Sequence, residues 1–185
     1  MAQDVPHSLP RSVRLGCALL LLLVSLGMSV EPYLVLADEA TPGTWQIVVG
    51  DETLPGRFNY PVDAAVDSQG NLYVLETSNF RIQKLSPDGK PLAQWGSRGN
   101  APGQFWAPEG VAVDSRGNVY VADTLNDRIQ KLSPAGEPLA QWGGAGDAPG
   151  QFSGPVSVAV DGQGNVYVIE LRNRRVQKLA QPDGA

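Results

Sequence analysis

From Gly56 onward, apolar and polar residues alternate in short runs, and each run stops at a cluster of Gly, Pro, Asn, Asp or Ser. In Val119-Tyr120-Val121 the two valines face one way and the tyrosine the other, the period of a β-strand. Gly56, Gly103 and Gly150 open three copies of one such pattern, spaced 47 residues apart, and the first two copies agree at about 30 of 47 positions. Each copy predicts up to four strands. The first strands are Val62–Val66, Gly110–Val113 and Val156–Val160, and the second are Asn71–Leu75, Asn118–Ala122 and Asn165–Ile169. The third are Arg81–Leu85, Arg128–Leu132 and Arg175–Leu179. Fourth strands are expected at Pro91–Trp95 and Pro138–Trp142.

The turns between them have a chemical reading. Asp67, Asp114 and Asp161 each open an Asp-x-x-Gly-Asn segment, in which the carboxylate caps turn N–H groups and the glycine takes positive φ. Ser-Pro-Asp-Gly at 86–89 and Ser-Pro-Ala-Gly at 133–136 place proline at the second turn position. Four antiparallel strands joined by tight turns, repeated at this period, describe blades of a β-propeller.

Ahead of the repeats the pattern changes. Arg11 and Arg14 precede an apolar run from Leu15 to Val30, short for a spanning helix and suited to a secretory signal. Val35 and Ala37 are small residues at −3 and −1 for cleavage before Asp38. Residues 1–37 are therefore read as a signal peptide with a helical core, the alternative being an uncleaved membrane anchor. Residues 38–43 form a polar linker. An isolated strand within 44–50 (Trp45–Gly50) aligns with a fourth strand.

The run Gly-x-Phe…Pro-x-Gly-Val-Ala-Val-Asp-x-x-Gly-Asn-Val-Tyr-Val-Ala-Asp-x-x-Asn-x-Arg-Ile-Gln-Lys, from Gly103 to Lys131, resembles the NHL repeat, and the resemblance extends over 44–185. It implies an all-β fold of NHL-type propeller blades, three four-stranded antiparallel units in repeats 56–102, 103–149 and 150–185. NHL propellers usually have six blades and serve most often as binding platforms for protein or RNA, although an amidoglycolate lyase is built on one. Three blades do not close a ring. The third copy ends before its fourth strand, which strand 44–50 would supply. Two readings stand: a homodimer closing a six-bladed ring by strand exchange, or a truncated propeller.

Composition narrows the chemistry. Gly (21) and Pro (15) are abundant, as a turn-rich β protein requires. The net charge is −5, which disfavours nucleic acid and anionic membranes as partners, so membrane contact is expected only through an uncleaved leader. The one histidine, His7, and the one cysteine, Cys17, both lie in the leader. A cleaved chain has no thiolate, no imidazole base and no zinc site of the usual N/S type. No cofactor is expected, and calcium is the one metal that the carboxylates leave open.

Residues common to every copy read as structural: Asp67, Asp114 and Asp161 in turns, and Glu76, Asp123 and Glu170 paired with Arg81, Arg128 and Arg175 across a hairpin. None is assigned as catalytic or as a metal ligand. Ligand contact is sought where the copies differ. Tyr60 and Asp63 in the first copy and Trp106 and Glu109 in the second occupy the loop before the first strand. Arg172 and Arg174 form a basic cluster in the third copy. By resemblance, that loop and the one between strands two and three share a face around the central channel. The expected function is a secreted or cell-surface binding platform for an unknown protein or small ligand, without catalysis. The alternatives are a calcium-dependent lactonase- or lyase-like propeller and an RNA-binding surface.

Overall fold

Eleven strands account for nearly all regular structure in the computed structural model, which describes residues 58–180. The signal segment, the linker and the strand expected at 44–50 lie outside the described residues. The strands are β1 (Pro61–Val66), β2 (Leu72–Glu76), β3 (Arg81–Leu85), β4 (Pro91–Trp95), β5 (Gly110–Val113), β6 (Val119–Asp123), β7 (Arg128–Leu132), β8 (Pro138–Gly143), β9 (Pro155–Val160), β10 (Val166–Glu170) and β11 (Arg175–Leu179). A short 3-10 turn, Thr124–Asn126, follows β6. The sheets run β1-β2-β3-β4, β5-β6-β7-β8 and β9-β10-β11, antiparallel throughout. These are propeller-type blades, the third carrying three strands among the described residues.

The second strand of each copy begins one residue later than its apolar pattern suggests. Asn71 belongs to the turn: its N–H donates to Asp67 Oδ1 at 2.9 Å and its carbonyl accepts the Asp67 N–H at 3.0 Å. Asn118 and Asn165 repeat this with Asp114 and Asp161. At its far end the strand extends to the acid, since Glu76 pairs with Arg81, Asp123 with Arg128 and Glu170 with Arg175.

The blades stack through their faces, with first strands β1, β5 and β9 side by side. Tyr73, Leu75 and Ile82 from the front of blade one meet Phe105, Val111, Val119, Val121 and Leu132 from the back of blade two. Tyr120, Ala122 and Ile129 from the front of blade two meet Phe152, Val158, Val166 and Val168 of blade three in the same way. Trp95 and Trp142, at the ends of the fourth strands, stack on Tyr73 and Tyr120 with ring centroids 6.2 and 6.3 Å apart. Gly143, after Trp142, sits at φ +115°, and a Cβ there would lie 2.4 Å from the Phe152 ring. Gly110 lets β5 approach β9, for its Cβ would lie 2.8 Å from the Ser157 backbone. Each strand face therefore carries apolar residues of one blade into those of the next, which is where burial stabilises the stack.

Candidate ligand-binding face

Glu76, Asp123 and Glu170 organise one end of each blade. Each side chain is fully buried and accepts four kinds of donor. Asp123 takes N–H groups from the Trp106 backbone at 2.7 Å, Asn126 at 2.8 Å, the Arg128 Nε at 2.8 Å and Gln130 at 3.2 Å. Glu76 takes Asn59 N, Asn79, Arg81 Nε and Gln83 at 2.6–2.9 Å. Glu170 takes Ser153 N, Asn173, Arg175 Nε and Gln177 at 2.6–3.0 Å. Burial pushes the Glu76 and Glu170 carboxyls up, but the hydrogen bonds, led by Arg81 and Arg175, outweigh it and hold both below the ordinary glutamate range.

The four donors include one from outside the hairpin. Asn59, Trp106 and Ser153 occupy the same slot of the repeat, 47 residues apart, and only their backbone N–H is engaged by the acid. A constant network thus fixes the backbone of a position whose side chain is free to differ. The following residues, Tyr60, Ala107 and Gly154, all take left-handed φ of 57°, 47° and 60°. Phe80, Asp127 and Arg174 do likewise in the loops between second and third strands. Both loops lie at one end of the blades, because the start of β1 pairs with the end of β2, Pro61 opposite Glu76.

Trp106 has 44% of its surface exposed, and the Arg98 guanidinium sits 5.6 Å from its ring. The same guanidinium lies 5.7 Å from the Phe80 ring, so Arg98 spans two aromatic residues of neighbouring blades. Arg98 and Phe80 were not singled out in the sequence. The signal was available, since their counterparts in the next copy are Ala145 and Asp127. Tyr60 is 71% exposed and its carbonyl accepts the Thr77 N–H. Glu109 is exposed, with its N–H on the Ala122 carbonyl. Asp63 is otherwise employed: Oδ1 accepts the Ala64 N–H at 2.9 Å and Oδ2 the Val111 N–H of blade two at 2.8 Å. It joins two blades. Arg172 and Arg174 are exposed on blade three. Among the described residues no hydrogen bond or ion pair links them to Tyr60, Trp106 or Glu109.

The turn aspartates stand at the opposite end. Asp67 Oδ1 accepts the Gln69 and Asn71 N–H groups, and Oδ2 accepts the Asn71 side chain and the Tyr73 hydroxyl. Asp114 and Asp161 repeat the arrangement. The Asn165 side chain leads the bonds that, against the opposing effect of burial, push Asp161 down to about 2. These carboxylates are occupied one per blade. No group of three or more His, Cys, Asp or Glu among the described residues is placed to hold a metal ion. Two shallow clefts lie away from the variable loops, one lined by Asp67, Lys84 and Arg116, the other by Gln130, Pro138 and Leu139.

The NHL-repeat family model matches the chain at residues 58–85 and 105–132. No match was found among curated proteins. Among solved structures, a protein of unknown function from Bacteroides thetaiotaomicron is 21% identical over 60% of this chain and 32% of its own, with a TM-score of 0.49. A streptogramin B lyase is 21% identical over 66% and 41%, with a TM-score of 0.47. Virginiamycin B lyase from Staphylococcus aureus is 15% identical over 69% and 43%, with a TM-score of 0.49. The chain spans less than half the length of each. Two copies match the NHL-repeat model and the third is built on the same strands and turns, so residues 58–180 carry NHL-type repeats folded as propeller-type blades.

Proposed function

We propose that the chain is a secreted or cell-surface binding platform that captures a protein or small ligand on its variable-loop face, without catalysis. The observation that carries this reading is Trp106. It is an exposed indole held by its backbone in a slot where the other copies have Asn59 and Ser153, and it is braced by Arg98. A rigid, half-exposed aromatic residue is the kind of anchor that dominates interfaces. The strand-end acids, the carboxylates at this end common to all copies, are committed to the Asn–Arg–Gln network. They have no free geometry for proton transfer.

A photo-crosslinking residue at position 106 tests the reading in the native compartment. Adducts at 106, absent when the same group replaces Leu139 on the outer edge, support it. Equal adducts at both positions would sink it. Intact mass decides the localisation half of the proposal: a secreted protomer is expected to begin at Asp38. A leader retained by the membrane would make the platform anchored.

A further inference from the structure

Three contacts between a cation and an aromatic ring recur once per blade: Lys84, Lys131 and Lys178 lie over Tyr73, Tyr120 and Tyr167 at 5.0, 5.3 and 5.5 Å. The contacts of Arg98 with Phe80 and Trp106, at 5.7 and 5.6 Å, belong to no such series. The counterparts of Arg98, Phe80 and Trp106 in the next copy are Ala145, Asp127 and Ser153. Three departures from the repeat therefore meet at the junction of blades one and two.

One of them gives up local stability. Asp127 holds a left-handed φ of 49°, which its residue type tolerates, and its Oδ1 accepts the Gly154 N–H at 2.8 Å. Phe80 holds the same conformation at 54°, which a bulky side chain adopts only at a cost in strain, and offers no acceptor to the equivalent Ala107 N–H. What the first copy gains in exchange is a ring beside Arg98.

Arg98 is held in place with its donors unspent. On one side of it the Ser97 carbonyl accepts the Phe105 N–H at 2.9 Å, and on the other the Gly99 N–H donates to the Phe105 carbonyl at 3.0 Å. Phe105 is fully buried. Arg81, Arg128 and Arg175 are each tied to a strand-end acid. The exposed Arg98 side chain makes no hydrogen bond or ion pair with any described residue. A guanidinium presents five N–H donors in a fixed fork, is weakly hydrated, and matches a carboxylate in two parallel bonds.

We infer that Arg98, set between Phe80 and Trp106, reads a carboxylate that the ligand carries next to an apolar group. The guanidinium takes the carboxylate and the half-exposed indole takes the apolar group. One guanidinium balances one negative charge, and the exposed Glu109 in the Trp106 loop disfavours a phosphate dianion. The inference rests on the reading of Trp106 as a ligand anchor and adds the chemical class of what is anchored.

Nuclear magnetic resonance of the full chain tests it through the Arg98 Nε–H and Trp106 indole N–H signals. The probes are 3-phenylpropanoate, its neutral isostere 3-phenylpropanamide, the peptide acetyl-Asp-Phe-amide and inorganic phosphate. Both carboxylates should shift both signals saturably and bind about tenfold tighter than the neutral amide. Whichever of the two binds tighter identifies the source, a small acid or an acidic peptide, and either order supports the assignment. Arg98→Gln should bring both carboxylates down to the affinity of the amide, with the far-UV circular dichroism kept, and Arg98→Lys should restore only part of the loss. Equal binding of acid and amide overturns the inference while leaving Trp106 an aromatic anchor. Phosphate binding as tightly as the carboxylates, or carboxylate binding unchanged in Arg98→Gln, overturns it too. So does a chain that shifts with no probe, and crosslinking at position 106 then decides the platform reading separately.

Discussion

Asp123 has no exposed surface and four donors around its carboxylate, and Arg128 beside it also donates to the Asn100, Ala101 and Gln104 carbonyls. Removing the acid leaves a guanidinium uncompensated and the Trp106 N–H without its acceptor. Asp123→Ala should therefore cost about 3–5 kcal/mol in urea unfolding. A loss below about 1 kcal/mol would mean that the network is not what holds the blade end. Glu76 and Glu170 contribute to the acid pH dependence beside the turn aspartates Asp67 and Asp161. The folded-state pKa values of the two glutamates are lowered, so the stability they confer is present above the unfolded value, near 4.5, and is lost as pH falls through the depressed folded values. Melting temperature should be flat from neutral pH to about 5 and then fall. Glu170→Gln should flatten the acid limb while lowering stability at neutral pH. The presence of an acid and an arginine five residues apart was legible in the sequence. The engagement of the Asn59, Trp106 and Ser153 backbones was not, because the acid reaches 17 residues back to a loop that shares no side-chain pattern between copies.

At the level of the strand, the alternation of apolar and polar residues located all eleven described strands to within a residue at each end. β2, β6 and β10 each start one residue late for a common reason. The apolar pattern includes Asn71, Asn118 and Asn165 as strand starts, but their N–H groups are claimed by the turn aspartates. Local side-chain capping competes with the ladder there. The hairpin glycines and the Trp-Gly pair end the strands by sterics. Gly143→Ala would force a Cβ into the Phe152 ring and the Asp127 carbonyl at positive φ, and should destabilise by about 1–3 kcal/mol. Gly144→Ala, one residue on, meets no atom within 4 Å and pays only the strain of its φ. A thermal-shift comparison of the two separates clash from backbone strain: equal losses would show that the packing against Phe152 is unimportant.

For the whole molecule, the three blades share one packing rule, in which each front face takes the back of the next. The rule places apolar residues on both faces of every blade and so leaves two such faces on any unclosed stack. The proposed binding face lies at the blade ends, where the loops vary between copies. The two properties are therefore separable. Trp106→Ala should leave the melting temperature within a degree or two of the native chain, because its indole is half-exposed and only its backbone is held. A large drop would show the ring to be a packing element and remove it as a ligand anchor.

The blade, its turns and its acid–arginine hairpins follow from local rules of period, φ and capping, and the 47-residue repeat states those rules three times. That much the sequence alone determined. The tertiary structure decided which side chains remain available. Asp63, alike in sequence terms to Glu109, bridges to Val111 of the next blade, while Arg98 is brought between Phe80 and Trp106. Such pairings join residues of different blades, and a pattern read along one strand cannot register them, because the distance that matters runs across the stack.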